Sequence, residues 1–484
     1  FLNLKYCSGK YYEKKNNCGK YKDKFAFCMS YFHNSLRVLF PLVFPSSISM
    51  IRSMKYTHIV NRDVLPTIWY KPLFLLILFG ITYLSSAEMS VQKEENILQK
   101  VANSCCFFSS NFYKVLSDEF DGNIITSPFS LHTILSLLHH GSKGITSNEL
   151  QTVLYPSSID VSHNEIKSLI STLNFYTNVK YYYQDIKEIE LQIANAIYIQ
   201  DNFQVLSEFT TVSTDVFNCG LSIVDFKNKL QAINEINSWV KTATRDKIST
   251  IISMDDIDDH TKAVLINAVY FKGRWLHKFD DKLIKNIFFH TSKTDKKLVP
   301  MMYKQSKYVY GEIPNLNTRF IEIPYVNQDI AMVILLPNEI EGLQLLQKDF
   351  KWEDFSEASG SETDIALSLP RFKYEITIDL ENILRKLGLH SMFEDNADFG
   401  NLTNEPVKIS KILQKAFIEV NEEGSEAAAA TVAQIRLKRA LIDFPEEFLV
   451  NRPFLFIIYH KPSKIPIFLG SVKDIHISVE KDEL

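Results

Sequence analysis

Residues 419–444 read EVNEEGSEAAAATVAQIRLKRALIDF. Four consecutive alanines, Ala427, Ala428, Ala429 and Ala430, follow Glu422-Glu423-Gly424-Ser425-Glu426 and precede Thr431. Alanine is the best helix former. Flanked by β-branched residues, the same run serves equally as a strand whose side chains are small enough to slot between existing strands. Side chains alternate along an extended chain. That geometry puts Ser425, Ala427, Ala429 and Thr431 on one face, all small enough for a crowded sheet interior, and turns Glu426 outward. Gly424 supplies a pivot, because glycine adopts dihedrals other residues avoid. A few residues on stands Arg436-Leu437-Lys438-Arg439, the only R-x-K-R in the chain.

Outward from this stretch, periodicity marks the body of the chain as residues 96–477. Val101, Phe108, Phe112, Val115 and Leu116 recur at helical spacing. Ser127-Pro128 opens a second helix through Leu131, Ile134, Leu135 and Leu138, with proline tolerated in the first turn. Leu191–Ile199 alternates loosely, and Ala263–Phe271 is a nearly continuous apolar run of buried-strand type. Ala331–Leu336 and Ile365–Leu369 repeat the strand signature. Ile376–Leu389 reads as a helix stopping at Gly388-Leu389. Helices dominate the first third and strands the rest, with no 20–50-residue repeat and no linker. The expected fold class is α+β in one domain.

Enzyme signatures are absent. The chain holds no GxSxG, HExxH, GxGxxG or phosphate-binding loop. His132, His139 and His140 share a predicted helix; they read as partly exposed packing residues before they read as metal ligands. No metal and no cofactor is expected.

Four segments in order resemble the serpin family, and its inhibitory members in particular. Asn123–Leu131 (NIITSPFSL) is similar to the family's second-helix start, and Leu265–Trp275 (LINAVYFKGRW) to its central-sheet strand. Asn451–Ile458 (NRPFLFII) is similar to its C-terminal signature, and EEGSEAAAAT to its hinge. The resemblance implies helices packed on a large central sheet plus smaller sheets, with an exposed reactive-centre loop at about 422–446. It also implies a mechanism. A protease attacks the loop and forms an acyl-enzyme, and the hinge then inserts into the central sheet and drags the protease with it. Ser127, Ser130 and Asn267 match the polar cluster beneath the opening sheet, with Gln414 where the family usually has histidine. Trp275 matches the residue where the loop enters.

The basic tetrapeptide together with the terminal Lys481-Asp482-Glu483-Leu484 resembles a small group of serpins that restrain furin-like proprotein convertases. Such proteases have acidic clefts, and arginine forms bidentate, charge-assisted pairs with carboxylates. Losing one such buried pair typically costs on the order of 2–5 kcal/mol. The scissile bond is placed at Arg439–Ala440, with Arg436 and Lys438 as further specificity residues. The commonest hinge spacing in the family would instead give Lys438–Arg439. Two other roles are carried alongside: a non-inhibitory chaperone of the endoplasmic reticulum, and inhibition of secreted trypsin-like proteases.

The ends of the chain are read from charge and hydropathy. Residues 1–87 hold 12 Lys/Arg against 3 Asp/Glu, a net +9; residues 88–484 hold 41 against 54, a net −13. So acidic a body argues against a nucleic-acid partner. Residues 1–49 show no structural period and are expected to be translated sequence upstream of a start at Met50 or Met54, a basic arm being the other reading. Arg52, Lys55, Arg62 and Lys71, then the apolar run Leu73–Leu84 and Ser85-Ser86-Ala87, describe a signal peptide over 50–87. The run falls short of the roughly 20 residues of a membrane span, so no span is expected in the mature chain.

A C-terminal KDEL at 481–484 addresses the retrieval receptor. The expected location is the lumen of the endoplasmic reticulum or early secretory pathway, with some secretion, and the expected state a monomer. Three cysteines follow the leader, Cys105, Cys106 and Cys219, consistent with one disulfide to Cys219 or with free buried thiols. Asn401-Leu402-Thr403 is the one glycosylation sequon of that region. Residues 165–193 lack the basic cluster that heparin would need.

Overall fold

The structure is a computed structural model that describes residues 99–156, 189–422 and 445–475. All of them belong to one compact unit, Ser86–Leu484. The segments read as upstream sequence, leader, hinge, basic tetrapeptide and tail lie outside the described residues.

The described strands build two sheets. The first has the order β10-β11-β4-β2-β3, from β10 (Phe372–Asp379), β11 (Lys411–Val420), β4 (Ala263–Gly273), β2 (Ile189–Gln200) and β3 (Cys219–Val224). The second runs β1-β14-β13-β8-β7-β6-β9-β12, with β5 on β6. Its strands are β1 (Ile124–Thr126), β5 (Lys285–His290), β6 (Lys296–Ile313), β7 (Thr318–Pro324), β8 (Ile330–Pro337), β9 (Ser361–Pro370), β12 (Glu446–Leu449), β13 (Phe454–His460) and β14 (Ile465–Val472). The helices are α1 (99–119), α2 (Pro128–Gly141), α3 (Gly144–Leu154), α4 (Ser207–Asp215), α5 (Lys229–Ala243), α6 (Leu343–Asp349), α7 (Trp352–Ser356) and α8 (Glu381–Leu387). None of the described helices is long and apolar enough to cross a membrane.

The near-continuous apolar reading of β4 is explained by cover on both faces. Its alternate residues belong to different cores. Ala263 and Leu265 join the helical core around α2; Val269 and Phe271 join the core between the sheets. Val264, Ile266, Ala268 and Tyr270 face α5 and the segment after it. Helix α2 is almost wholly buried, its polar Ser130, His132, Thr133 and Ser136 included, and such buried polar groups need hydrogen-bond partners. Ser127 caps it, accepting from the Ser130 N–H at 3.3 Å, with Pro128 in the first turn.

Two sequence expectations change. Residues 376–379 finish strand β10, and the helix is only Glu381–Leu387. Buried Phe372, Tyr374 and Ile378 alternate with exposed Lys373, Glu375, Thr377 and Asp379, a period of two. Gly388 at φ 108° then ends α8. The cysteine alternatives resolve as well: Cys105, Cys106 and Cys219 are buried and unbridged. Burial pushes the thiols of Cys105 and Cys219 up to about 12, so they pack as apolar groups. The second change is His132: read from sequence as partly exposed, it is buried inside the helical core with Nε2 2.9 Å from Ser104 Oγ.

Candidate protease-trapping site

β11 and β4 run parallel, paired from Lys411↔Val264 to Ile418↔Phe271. β11 ends at Val420, and the segment read from sequence as the hinge follows it in the chain. A chain that turned back at that point would run antiparallel to both strands. Inserted between them, it would replace one parallel ladder with two antiparallel ones, which are slightly more stable per residue. The β4·β11 seam is therefore the place where an added strand gains most, and three sets of contacts hold it shut.

The first is a polar knot at mid-seam. Gln414 lies opposite Asn267 in the ladder, and both are fully buried. Gln414 Nε2 donates to Asn267 Oδ1 at 2.7 Å and to Ser127 O at 3.1 Å. Its Oε1 accepts from the Ser127 N–H at 3.1 Å and from the Thr126 hydroxyl. Asn267 Nδ2 donates to Ser130 Oγ and to Asn195 Oδ1; the Ser130 hydroxyl also reaches Asn195 Oδ1, at 3.2 Å. Ser127 Oγ donates to Ile467 O at 2.7 Å.

Every hydrogen-bonding position of Gln414 is filled. A neutral imidazole offers only one donor and one acceptor, so the amide binds the seam at more points than histidine could. None of the six side chains in the knot titrates.

The second set closes the end of the seam where the hinge leaves. Trp275 Nε1 donates to Asn421 O at 2.8 Å, and its ring stacks on buried Tyr325 with centroids 4.5 Å apart. Lys272 of β4 pairs with Glu419 of β11 at 3.6 Å. Glu422, the last described residue before the hinge, is buried and paired with Arg371 between β9 and β10. Its Oε2 is buried with no hydrogen-bond partner among the described residues.

The third set is a strap, residues 244–262, laid across the outer face of the seam. Ile248, Ile251, Ile252 and Ile257 share a core with Val264 and Ile266 of β4 and Leu413 and Phe417 of β11. Lys415 Nζ donates to Thr250 O at 2.6 Å and pairs with Glu375 at 2.6 Å. The strap continues directly into β4, so Lys415 ties β11 to the strand it would have to leave.

Of the residues named from sequence, Ser127, Ser130, Asn267 and Gln414 come together in the knot, and Trp275 sits at the hinge end. Asn401 lies apart, against the C-terminal end of α2. Glu423 to Thr431, Arg436, Lys438, Arg439 and Ala440 lie outside the described residues. Sequence reasoning missed Thr126, Asn195, Arg371 and Lys415. Asn195 had a signal: a lone asparagine within the apolar strand LQIANAIYI, like Asn267 in VLINAVYF, and the two face each other across β2·β4.

Comparison with known proteins agrees with this geometry. The family model "Serpin (serine protease inhibitor)" matches residues 103–475. A leukocyte elastase inhibitor of Xenopus tropicalis is 34% identical over 77% of this chain and 99% of its own length. Antichymotrypsin-2 of Bombyx mori is 34% identical over 75% of this chain and 95% of its own. Among solved structures, Serpin48 of Tenebrio molitor matches with a TM-score of 0.68 and 31% identity, covering 78% of this chain and 99% of that one. Cleaved Serpin 42Da matches with a TM-score of 0.67 and 32% identity over 79% and 100%. With two-sheet architecture, seam and sequence in accord, the chain belongs to the serpin family of protease inhibitors and is not an enzyme.

Proposed function

We propose that this protein is a suicide substrate for furin-like proprotein convertases, trapping them as acyl-enzymes in the early secretory pathway. The observation that carries the reading is the parallel β4·β11 seam, held shut by contacts that can be exchanged and continuous at its end with a hinge of small residues. Insertion there moves the loop's attachment point along the sheet, and an acylated protease travels with it. The uninserted fold is a kinetically held state of the kind that releases its stored energy on cleavage.

Target choice rests on the basic residues. The relatives' names refer to elastase and chymotrypsin inhibition; this loop carries Arg436, Lys438 and Arg439 instead. Three cations within four positions suit a cleft lined by carboxylates. Cleavage is proposed at Arg439–Ala440. The leader at 50–87 and the KDEL at 481–484 support residence where convertases mature. Small residues from Ser425 to Thr431 favour inhibition over a chaperone role, which has no use for an insertable hinge.

The test is a denaturing gel of the protein mixed with active furin. A heat-stable covalent band, abolished in Arg439→Ala, is the expected result. Clean loop cleavage without that band would overturn trapping. Mass spectrometry of the band fixes the bond, and a new terminus at Lys438 would reassign it.

A further inference from the structure

The sequon Asn401-Leu402-Thr403 looks open from sequence, and Asn401 is exposed at the surface. Its amide is nevertheless occupied. Asn401 Nδ2 donates to His140 O and to Ser142 O, each at 3.2 Å, and the Asn401 backbone N–H donates to Gly141 O at 3.0 Å. These are carbonyls at the C-terminal end of α2, where helical partners run out.

The rest of the sequon is held as firmly. Leu402 is buried in the main core, its N–H donates to Phe399 O at 2.8 Å, and its carbonyl accepts from Leu206 N at 2.9 Å. Thr403 is 1% exposed. Its hydroxyl donates to Gln204 O at 2.8 Å and accepts from Glu405 N at 3.3 Å, and its backbone bridges Val205.

We propose that folding closes this sequon: in the native protein Asn401 is the cap of α2, and it accepts a glycan only in the unfolded chain. Glycan transfer forms a bond from Nδ2 to the anomeric carbon of the first sugar. It breaks that carbon's bond to a lipid-linked pyrophosphate and releases one amide proton. Only one N–H is left for two carbonyls, and the sugar has to leave between them. Transfer also requires the asparagine amide and the threonine hydroxyl to be grasped together, and here the hydroxyl is sealed under residues 204–205. Occupancy at Asn401 is thus set by a race between transfer and folding. A glycan added first leaves the end of α2 short of a donor.

The experiment uses purified full-length protein, a purified oligosaccharyltransferase and a lipid-linked oligosaccharide, so its outcome is independent of the chain's own leader and of its protease target. Leu230→Thr provides the control, because it turns exposed Asn228, just before α5, into an acceptor whose amide donates to the exposed Gln231 side chain and not to helix-end carbonyls, with the new hydroxyl at an exposed position. Folded Leu230→Thr protein should be modified at Asn228 and not at Asn401. The same chain denatured in urea and diluted straight into the reaction should be modified at both. Modification of Asn401 in the folded protein as fast as Asn228 would overturn the proposal. Asn401→Ala, made without any glycan, should lower the unfolding midpoint by several degrees, as loss of a helix-end donor requires; an unchanged midpoint would remove the capping role.

Discussion

Gln414 and Asn267 face each other across the parallel seam, amide to amide at 2.7 Å, at the centre of a fully buried knot. Each strand of the seam thus carries one polar residue on its inner face, and each is satisfied chiefly by the other and by residues 126–130. Such a pair closes the sheet without preventing it from opening, since hydrogen bonds exchange where packed hydrocarbon would have to be torn apart.

Gln414→Ala should weaken the closed state by about 3 kcal/mol, because it strands the Thr126 hydroxyl, the Ser127 N–H and Asn267 Oδ1 in a dry interior, the Ser127 carbonyl keeping the Leu131 N–H. The expected phenotype is a lower unfolding midpoint and spontaneous linkage into oligomers on mild warming. Native gels after incubation check this, and a variant that stays monomeric with an unchanged midpoint would refute the role of the knot.

Gln414→His should add a pH dependence at the seam that the wild-type knot lacks. Burial disfavours the charged ring, so its folded pKa falls below the unfolded value. Stability of the closed seam would then be intact above the unfolded value of about 6.5 and lost as pH falls toward the folded one. Trapping rates measured from pH 7.5 to 5.5 should diverge between the two proteins at the acidic end.

His132 imposes an acid limit of its own. Burial lowers its pKa from 6.5 to about 4, so the unfolded chain binds the extra proton throughout that interval. Its contribution is fully present above about pH 6.5 and lost as pH falls toward 4, roughly 3 kcal/mol in all. Urea unfolding between pH 7 and 4 should show that slope, and His132→Gln should flatten part of it.

Much of this machinery was legible because its residues break a local pattern. Asn267 interrupts a buried apolar strand, and Ser127-Pro128 announces a capped helix. The end of β10 was misread because Ile376 and Ile378 run into the apolar positions of α8, which blurs a period of two into one of 3.6. Arg371 and Lys415 were invisible because their partners, Glu422 and Thr250, are distant in sequence and their own neighbours look like ordinary strand. Only the tertiary fold gives those lysine and arginine side chains something to hold.

Arg371→Ala should loosen the hinge end of the seam by about 1–2 kcal/mol, below the value for a fully buried pair because Arg371 is 39% exposed. It leaves the Glu422 carboxylate buried and unpaired. The double exchange Arg371→Glu with Glu422→Arg should recover part of the loss. A double-mutant cycle on unfolding midpoints measures the coupling, and additive effects would show that the pair contributes nothing.

Lys415 offers a test that separates closing the seam from stabilising the molecule at large. Its amine joins β11 to the strap at Thr250 and to β10 at Glu375. On the proposed entry of a strand between β4 and β11, β10 would stay paired with β11, so the bond to Glu375 would travel along while the bond to Thr250 would have to break. Lys415→Met keeps the packed stem and removes the amine, and should speed strand entry by about tenfold for each 1.4 kcal/mol that the strap bond contributes to the barrier. Glu375→Gln should change that rate far less, since its bond survives the opening. The rate is read by annealing a synthetic peptide of residues 424–433 into the sheet and following the shift on native gels. Equal acceleration in the two variants would mean that Lys415 acts through general stability, and that the strap is no latch.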